Sequence, residues 1–234
     1  MEPLPLLFLL CSLLLLILLR TPTSKSQPIS VNCTTDANYT ANSTFESNLN
    51  LLLSSLPSEA APSGFYNTTV GRSGADQVYG LALCRGDISA ADCNNCLTTA
   101  TQDAVANCPH STSNTMWYDT CMLRYSNQSF FSVADSSFQI YMWNVQSVTN
   151  PRLFVDQLGQ LMNSLAVKAT DGSGRPPLFS VGQVNFTNFQ KIGNFHSIYG
   201  MAQCTRDLSL TGCYGCLMVA SGTYPSAATR RSAR

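Results

Sequence analysis

The sequence predicts an α+β protein of two tandem modules, each an antiparallel sheet of about five strands with two helices, stapled by disulfides, the second module cut short. Three observations carry this: a gapless internal repeat, a compact even set of cysteines, and a 3.6-residue apolar period that gives way to alternation within each repeat.

The repeat has an offset of 120 residues. Tyr79-Gly80-Leu81-Ala82-Leu83-Cys84 aligns with Tyr199-Gly200-Met201-Ala202-Gln203-Cys204, and the match continues through Asp87/Asp207, Ser89/Ser209, Cys93/Cys213, Cys96/Cys216 and Leu97/Leu217. Upstream, Leu49, Leu52, Leu53 and Leu56 recur as Leu158, Leu161, Met162 and Leu165, spaced i, i+3, i+4, i+7, so an amphipathic helix opens each copy. Eleven additional residues separate that helix from the cysteines in the second copy, a surface-loop insertion that costs little entropy.

Val78–Leu83 and Ile198–Gln203 then read as strands entering the cysteine cluster. Ser89-Ala90-Ala91-Asp92 resembles a capping box, after which Cys93, Leu97, Ala100, Ala104 and Cys108 share one helical face. Met116–Tyr125 and Ser137–Trp143 are rich in β-formers and are expected to be the closing strands. The predicted order of one repeat is strand, helix, strand, strand, helix, strand, strand. Thr149-Asn150-Pro151 breaks the chain between the copies.

Leu4 to Leu19 runs without a charge and is followed by Arg20 and the small residues Ser24 and Ser26. This is a signal-peptide pattern, with cleavage expected after Ser26; the run is short of the roughly 20 residues that span a bilayer. No second long apolar run follows, so secretion without a membrane span is expected. The boundaries read as signal 1–26, complete module 27–144, linker 145–151, truncated module 152–217 and divergent tail 218–234.

A formal net charge of 0 and 11% charged residues exclude the basic footprint of a nucleic-acid binder. Sequons at Asn38, Asn42, Asn67, Asn127 and Asn185 are the expected glycosylation sites; Asn32, with Cys33 in the middle position, is the weakest match.

Of ten cysteines, Cys11 lies in the leader. Cys33, Cys84, Cys93, Cys96, Cys108 and Cys121 are the even set of a small extracellular module, and spacing alone leaves their pairing open. Cys93-x-x-Cys96 and Cys213-x-x-Cys216 also have zinc or redox spacing. An oxidising compartment, and Asn94-Asn95 and Tyr214-Gly215 between the thiols, favour structural disulfides. No catalytic motif is present, the two histidines His110 and His196 read as structural or surface residues, and neither enzyme activity nor a cofactor is expected.

Gly64-Phe65, Val78 to Asp87, Cys108-Pro109, Trp117-Tyr118-Asp119-x-Cys121-x-Leu123-Arg124-Tyr125-Ser126 and Phe130-Phe131 together resemble the plant cysteine-rich repeat secretory proteins. Their ginkbilobin-homologous module also forms the ectodomains of cysteine-rich receptor-like kinases. The resemblance covers residues 31 to 217. It implies the pairs Cys33–Cys108, Cys84–Cys93, Cys96–Cys121 and Cys204–Cys213, with Cys216 left as a free thiol because the strand that would carry its partner is not recognisable after Leu217. The tail ending Arg230-Arg231-Ser232-Ala233-Arg234 is expected to be a disordered end.

The resemblance further implies an apoplastic role in stress or defence, with cell-surface or apoplastic proteins as partners and cell-wall glycans as the alternative. Ginkbilobin-type proteins hold mannose with an Asn, an Arg and a Glu at positions filled in this chain by Thr34, Thr115 and Ser126. A mannose site in the first module is therefore not expected.

Overall fold

The computed structural model describes residues 27–34, 37–143, 145, 148, 150–173, 177–185 and 197–231. The signal-peptide reading and His196 lie outside these residues.

The first module is an open sheet with two helices on one face. Strand β1 (Ser30–Cys33) is followed by helix α1 (Thr44–Ala60), strands β2 (Phe65–Val70) and β3 (Val78–Cys84), helix α2 (Ala90–Asn107) and the hairpin β4 (Ser113–Trp117) and β5 (Cys121–Ser126). The sheet order is β1-β4-β5-β3-β2, antiparallel throughout. β3, bearing the Tyr-Gly-x-Ala-x-Cys motif, therefore sits between β2 and β5, well inside the sheet.

Both helices begin as their sequences direct. Ser43 caps α1 by accepting from Glu46 N, and the Glu46 carboxylate reaches back to accept from Asn42 N. Ser89 caps α2 by accepting from Asp92 N at 3.1 Å, and its hydroxyl donates to the Asp92 carboxylate. Each cap satisfies amides that the helix itself leaves open. Leu49, Leu52, Leu53 and Leu56 of α1 and Leu97, Ala100 and Ala104 of α2 meet Val78, Ala82, Met116, Leu123 and Tyr125 of the sheet in one core.

The repeat motif's glycine permits this packing. A Cβ at Gly80 would lie 2.4 Å from Leu52 Cδ2, and one at Gly200 would lie 2.7 Å from Leu165 Cδ1. In both modules the helix rests directly on the strand backbone at that point.

The second module is smaller. Helix α3 (Pro151–Ala169), strands β6 (Phe179–Asn185) and β7 (Ser197–Gln203) and helix α4 (Leu210–Arg231) repeat α1, β2, β3 and α2. β6 and β7 form a two-stranded sheet whose register places Val184 opposite Ile198, as Val70 stands opposite Val78. Leu161, Leu165, Ile198 and Ala202 form its core.

Three expectations are corrected. Met116–Tyr125 is a hairpin, because the chain reverses at 118–120 and Tyr118 N donates to Cys121 O at 2.8 Å. Residues 137–143 form no strand: they lie outside the sheet, with Phe138 stacked on Trp117 at 5.4 Å. Pro151 is the first residue of α3, with Asn150 as its cap, and the helix α4 runs from Leu210 to Arg231, taking in Arg230 and Arg231 of the expected disordered end. Proline's fixed φ suits the first helical turn, so the same residue that ends one element starts the next.

Candidate binding surface

The cystines organise the first module. Cys33–Cys108 ties the edge strand β1 to the C-cap of α2, Cys84–Cys93 ties the end of β3 to the start of α2, and Cys96–Cys121 ties α2 to the first residue of β5. Cys84 and Cys121 stand opposite each other in the β3–β5 register, so the latter two bridges lie side by side under α2. In the second module Cys204–Cys213 repeats Cys84–Cys93, and Cys216 is a free, half-buried thiol. Among the described residues, no group of three or more His, Cys, Asp and Glu could hold a metal ion.

The sheet face away from the helices carries Thr34, Thr115 and Ser126. Its side chains come from the alternate residues, so the β1–β4–β5 rows read Asn32, Thr115, Arg124 and then Thr34, Ser113, Ser126. The three positions singled out for mannose binding thus cluster at one corner. Two of them are engaged within the module: the main-chain O of Thr34 accepts from Ser111 Oγ at 2.9 Å, and Ser126 Oγ accepts from Gln128 N at 3.1 Å. The nearby guanidinium of Arg124 is also committed, lying 4.3 Å from the Phe130 ring centroid and donating to Asp135 at 3.3 Å. Phe131 packs edge-on against Tyr79, so residues 127–138 form a strap over this face.

The sequons are spread over both modules, and the one at Asn127 opens the strap. Asn38, Asn42 and Asn185 are exposed, whereas Asn67 and Asn127 are half-buried within β2 and just after β5. His110 takes a left-handed conformation, with φ at 61°, and packs edge-on against Tyr39, a structural position.

Sequence reasoning missed the seam between the modules. Gln203 Nε2 donates to Cys84 O at 2.9 Å, Arg206 Nη1 donates to Ser63 O at 2.6 Å, and Asp207 Oδ2 accepts from Ser132 N at 2.7 Å. A Cβ at Gly86 would come within 2.6 Å of the Phe179 ring. The available signal was the departure of the second copy from the first at Gln203 and Arg206, where the first has Leu83 and Gly86.

Two buried phenols give the first module a defined alkaline limit. Burial foremost, then the Asp103 carboxylate that accepts from its hydroxyl, raise the pKa of Tyr118; burial foremost raises that of Tyr125, whose hydroxyl donates to Ser111 O. The unfolded chain ionises near pH 10 while these folded phenols do not, so their contribution to stability is complete below about pH 10 and declines above it. In a spectrophotometric titration, these tyrosines are expected to ionise together with loss of the near-ultraviolet circular dichroism, after the exposed ones.

These features define a tandem, disulfide-stapled module pair of the extracellular type. The chain belongs to the salt stress response/antifungal family, whose domain matches twice, over residues 32–128 and 143–233. It is 37% identical to an antimicrobial ginkbilobin-2-like protein of Castanea crenata over 92% of this chain and 85% of that protein. It is 37% identical to cysteine-rich repeat secretory protein 38 of Arabidopsis thaliana, over 82% of this chain and 72% of the relative. Against cysteine-rich receptor-like protein kinase 25 of the same plant, 36% identity extends over 89% of this chain but 30% of the kinase. Among solved structures, the tandem DUF26 ectodomain of the Arabidopsis receptor-like protein PDLP8 superposes with a TM-score of 0.71 at 26% identity, covering 86% of this chain and 88% of that one. No helix among the described residues is long and apolar enough to cross a membrane.

Proposed function

We infer that this protein acts in the apoplast as a non-enzymatic interaction protein of plant stress or defence, binding cell-surface or apoplastic proteins. One observation weighs most: the corner where ginkbilobin-type proteins hold mannose is filled by Thr34, Thr115 and Ser126, and the neighbouring Arg124 is engaged by Phe130 and Asp135. Short hydroxyls do not reach the oxygens that an amide, a guanidinium and a carboxylate would bind, and unmade hydrogen bonds to a sugar are costly. The likeness to receptor ectodomains supports the same reading.

On this reading the leader directs secretion, and Asn38, Asn42, Asn67, Asn127 and Asn185 carry the glycans that keep a weakly charged surface soluble. The similarity to the antimicrobial Castanea protein keeps a mannose lectin as the alternative.

Retention on a mannan column separates the two. The secreted protein is expected in the flow-through, and the variant Thr34→Asn/Thr115→Arg/Ser126→Glu is expected to be retained at least about tenfold more, the gain of two or three hydrogen bonds to charged or amide groups. Binding of the labelled protein to wall-free protoplasts is expected to vanish after protease treatment and to survive mannosidase. Specific mannan retention of the unaltered protein would refute the reading.

A further inference from the structure

Asn32-Cys33-Thr34 is a complete sequon whose middle residue is half of a disulfide. Asn32 lies on the edge strand β1, opposite Thr115 of β4, with Arg124 of β5 next across the sheet. The preceding residue, Val31, packs against the core, so alternation along the strand turns Asn32 to the other face, where it is exposed. A glycan there meets solvent rather than either helix.

In the finished fold this sequon is closed to modification. Asn32 is paired into the sheet, Cys33 is bonded to Cys108, and Thr34 N donates to Ser113 O at 3.0 Å. A sequon is taken up as loose, bent chain, in which the Asn amide can meet the backbone two residues on. That freedom is gone once β1 is paired.

The order of synthesis opens it. The sulfur that fixes Cys33 lies 75 residues further along the chain, and the strand that pairs with β1 lies beyond that sulfur, at Ser113–Trp117. At about 5–20 residues per second, Cys108 follows Cys33 into the secretory lumen by about 4–15 s. Over that interval neither the strand nor the thiol that would close the sequon has been made.

We propose that Asn32 is an N-glycan acceptor, modified during synthesis before the Cys33–Cys108 bridge closes, and that the finished fold holds this glycan on the outer row of the sheet beside Thr115. The donor is an oligosaccharide linked to a lipid pyrophosphate. The Asn32 amide nitrogen bonds to the anomeric carbon of that sugar, and the bond from this carbon to the pyrophosphate oxygen breaks. The amide proton passes to a base of the transferase, and the lipid pyrophosphate leaves. Like the function inferred above, this rests on secretion of the chain.

Thr34 decides two properties of this corner at once. Its hydroxyl completes the sequon, and an Asn at the same position would abolish it. The side chain that withholds one anchor from a bound mannose is therefore the one that lets the neighbouring strand residue carry a sugar of its own.

The test uses the full chain secreted from plant cells and peptide-N-glycosidase A in heavy-oxygen water, which turns each glycan-bearing Asn into a labelled Asp. Fragmentation of the tryptic peptide that ends at Arg72 reads Asn32 separately from Asn38, Asn42 and Asn67. Label at Asn32 is expected on most chains. The Cys33→Ser variant keeps the sequon and removes the bridge, and its occupancy is expected to match that of the unaltered chain. Purified transferase with a lipid-linked donor should modify Asn32 in the reduced, unfolded chain and leave it unmodified in the folded, unglycosylated one. Label at Asn38 or Asn42 without label at Asn32, a label at Asn32 gained only in Cys33→Ser, or equal modification of folded and unfolded chains would each overturn the proposal. Absence of label at every sequon would instead overturn secretion itself, and this site with it.

Discussion

Replacing Cys33 and Cys108 together by serine should lower the stability of the first module by about 4.5 kcal/mol, the largest loss expected for any one bridge. The bridge closes a loop of sequence separation 75, against 25 for Cys96–Cys121 and 9 for Cys84–Cys93, and the freedom removed from the unfolded chain grows with the logarithm of that length. The same relation gives about 2.6 kcal/mol for the shortest ring. The folded state points the same way, since β1 is an edge strand paired only with β4 and the bridge fastens its end to α2. Urea unfolding followed by the near-ultraviolet signal of Trp117 and the buried tyrosines checks the ranking. If the Cys84→Ser/Cys93→Ser protein loses as much stability as the Cys33→Ser/Cys108→Ser protein, the loop-length account fails.

Leu52→Ala should cost about 3–4 kcal/mol, because the side chain is fully buried and leaves a cavity against β3 that neighbouring side chains fill only in part. Gly80→Ala alone should cost about 1–3 kcal/mol, since its new methyl would meet Leu52 at a distance no packed pair tolerates. The two changes compensate each other. In the double variant the alanine methyl occupies space vacated by leucine, so the combined loss should fall short of the sum by at least about 1 kcal/mol. Thermal unfolding of the four proteins measures that difference directly, and strict additivity would show that helix α1 does not bear on Gly80.

Much of the architecture was written in residue patterns that physical rules read locally. The capped helices, the apolar faces of α1 and α3, and the strand bearing the Tyr-Gly-x-Ala-x-Cys motif all follow from spacing and capping chemistry. The hairpin of β4 and β5 was obscured for a definite reason. Asn114, 1% exposed, occupies an inward position where an apolar residue would have announced the alternation, and Tyr118 in the turn looks like a strand residue. Residues 137–143 show the opposite error: aromatic and branched side chains favour strands only where a neighbouring strand accepts them, and these residues lie outside the sheet.

The corner of Thr34, Thr115 and Ser126 was legible as positions, since all three could be named from the cysteines. Its occupancy was not, because the ring over Arg124 and the strap's hold on Tyr79 come from residues brought back by a turn whose path the sequence does not fix. The seam between modules was hidden for a related reason: it joins side chains of one copy to backbone atoms of the other.

That one-sidedness has a consequence for how such tandem proteins can be recombined. Gln203, Arg206 and Asp207 reach Cys84 O, Ser63 O and Ser132 N, and Phe179 covers Gly86, so the first module is recognised by its main-chain path and a missing side chain. Among the described residues, the side chains that make these contacts belong to the second module. A chimaera that keeps the glycine and the course of the backbone is therefore expected to hold its two halves in the same mutual orientation, whatever the surface chemistry of its first module.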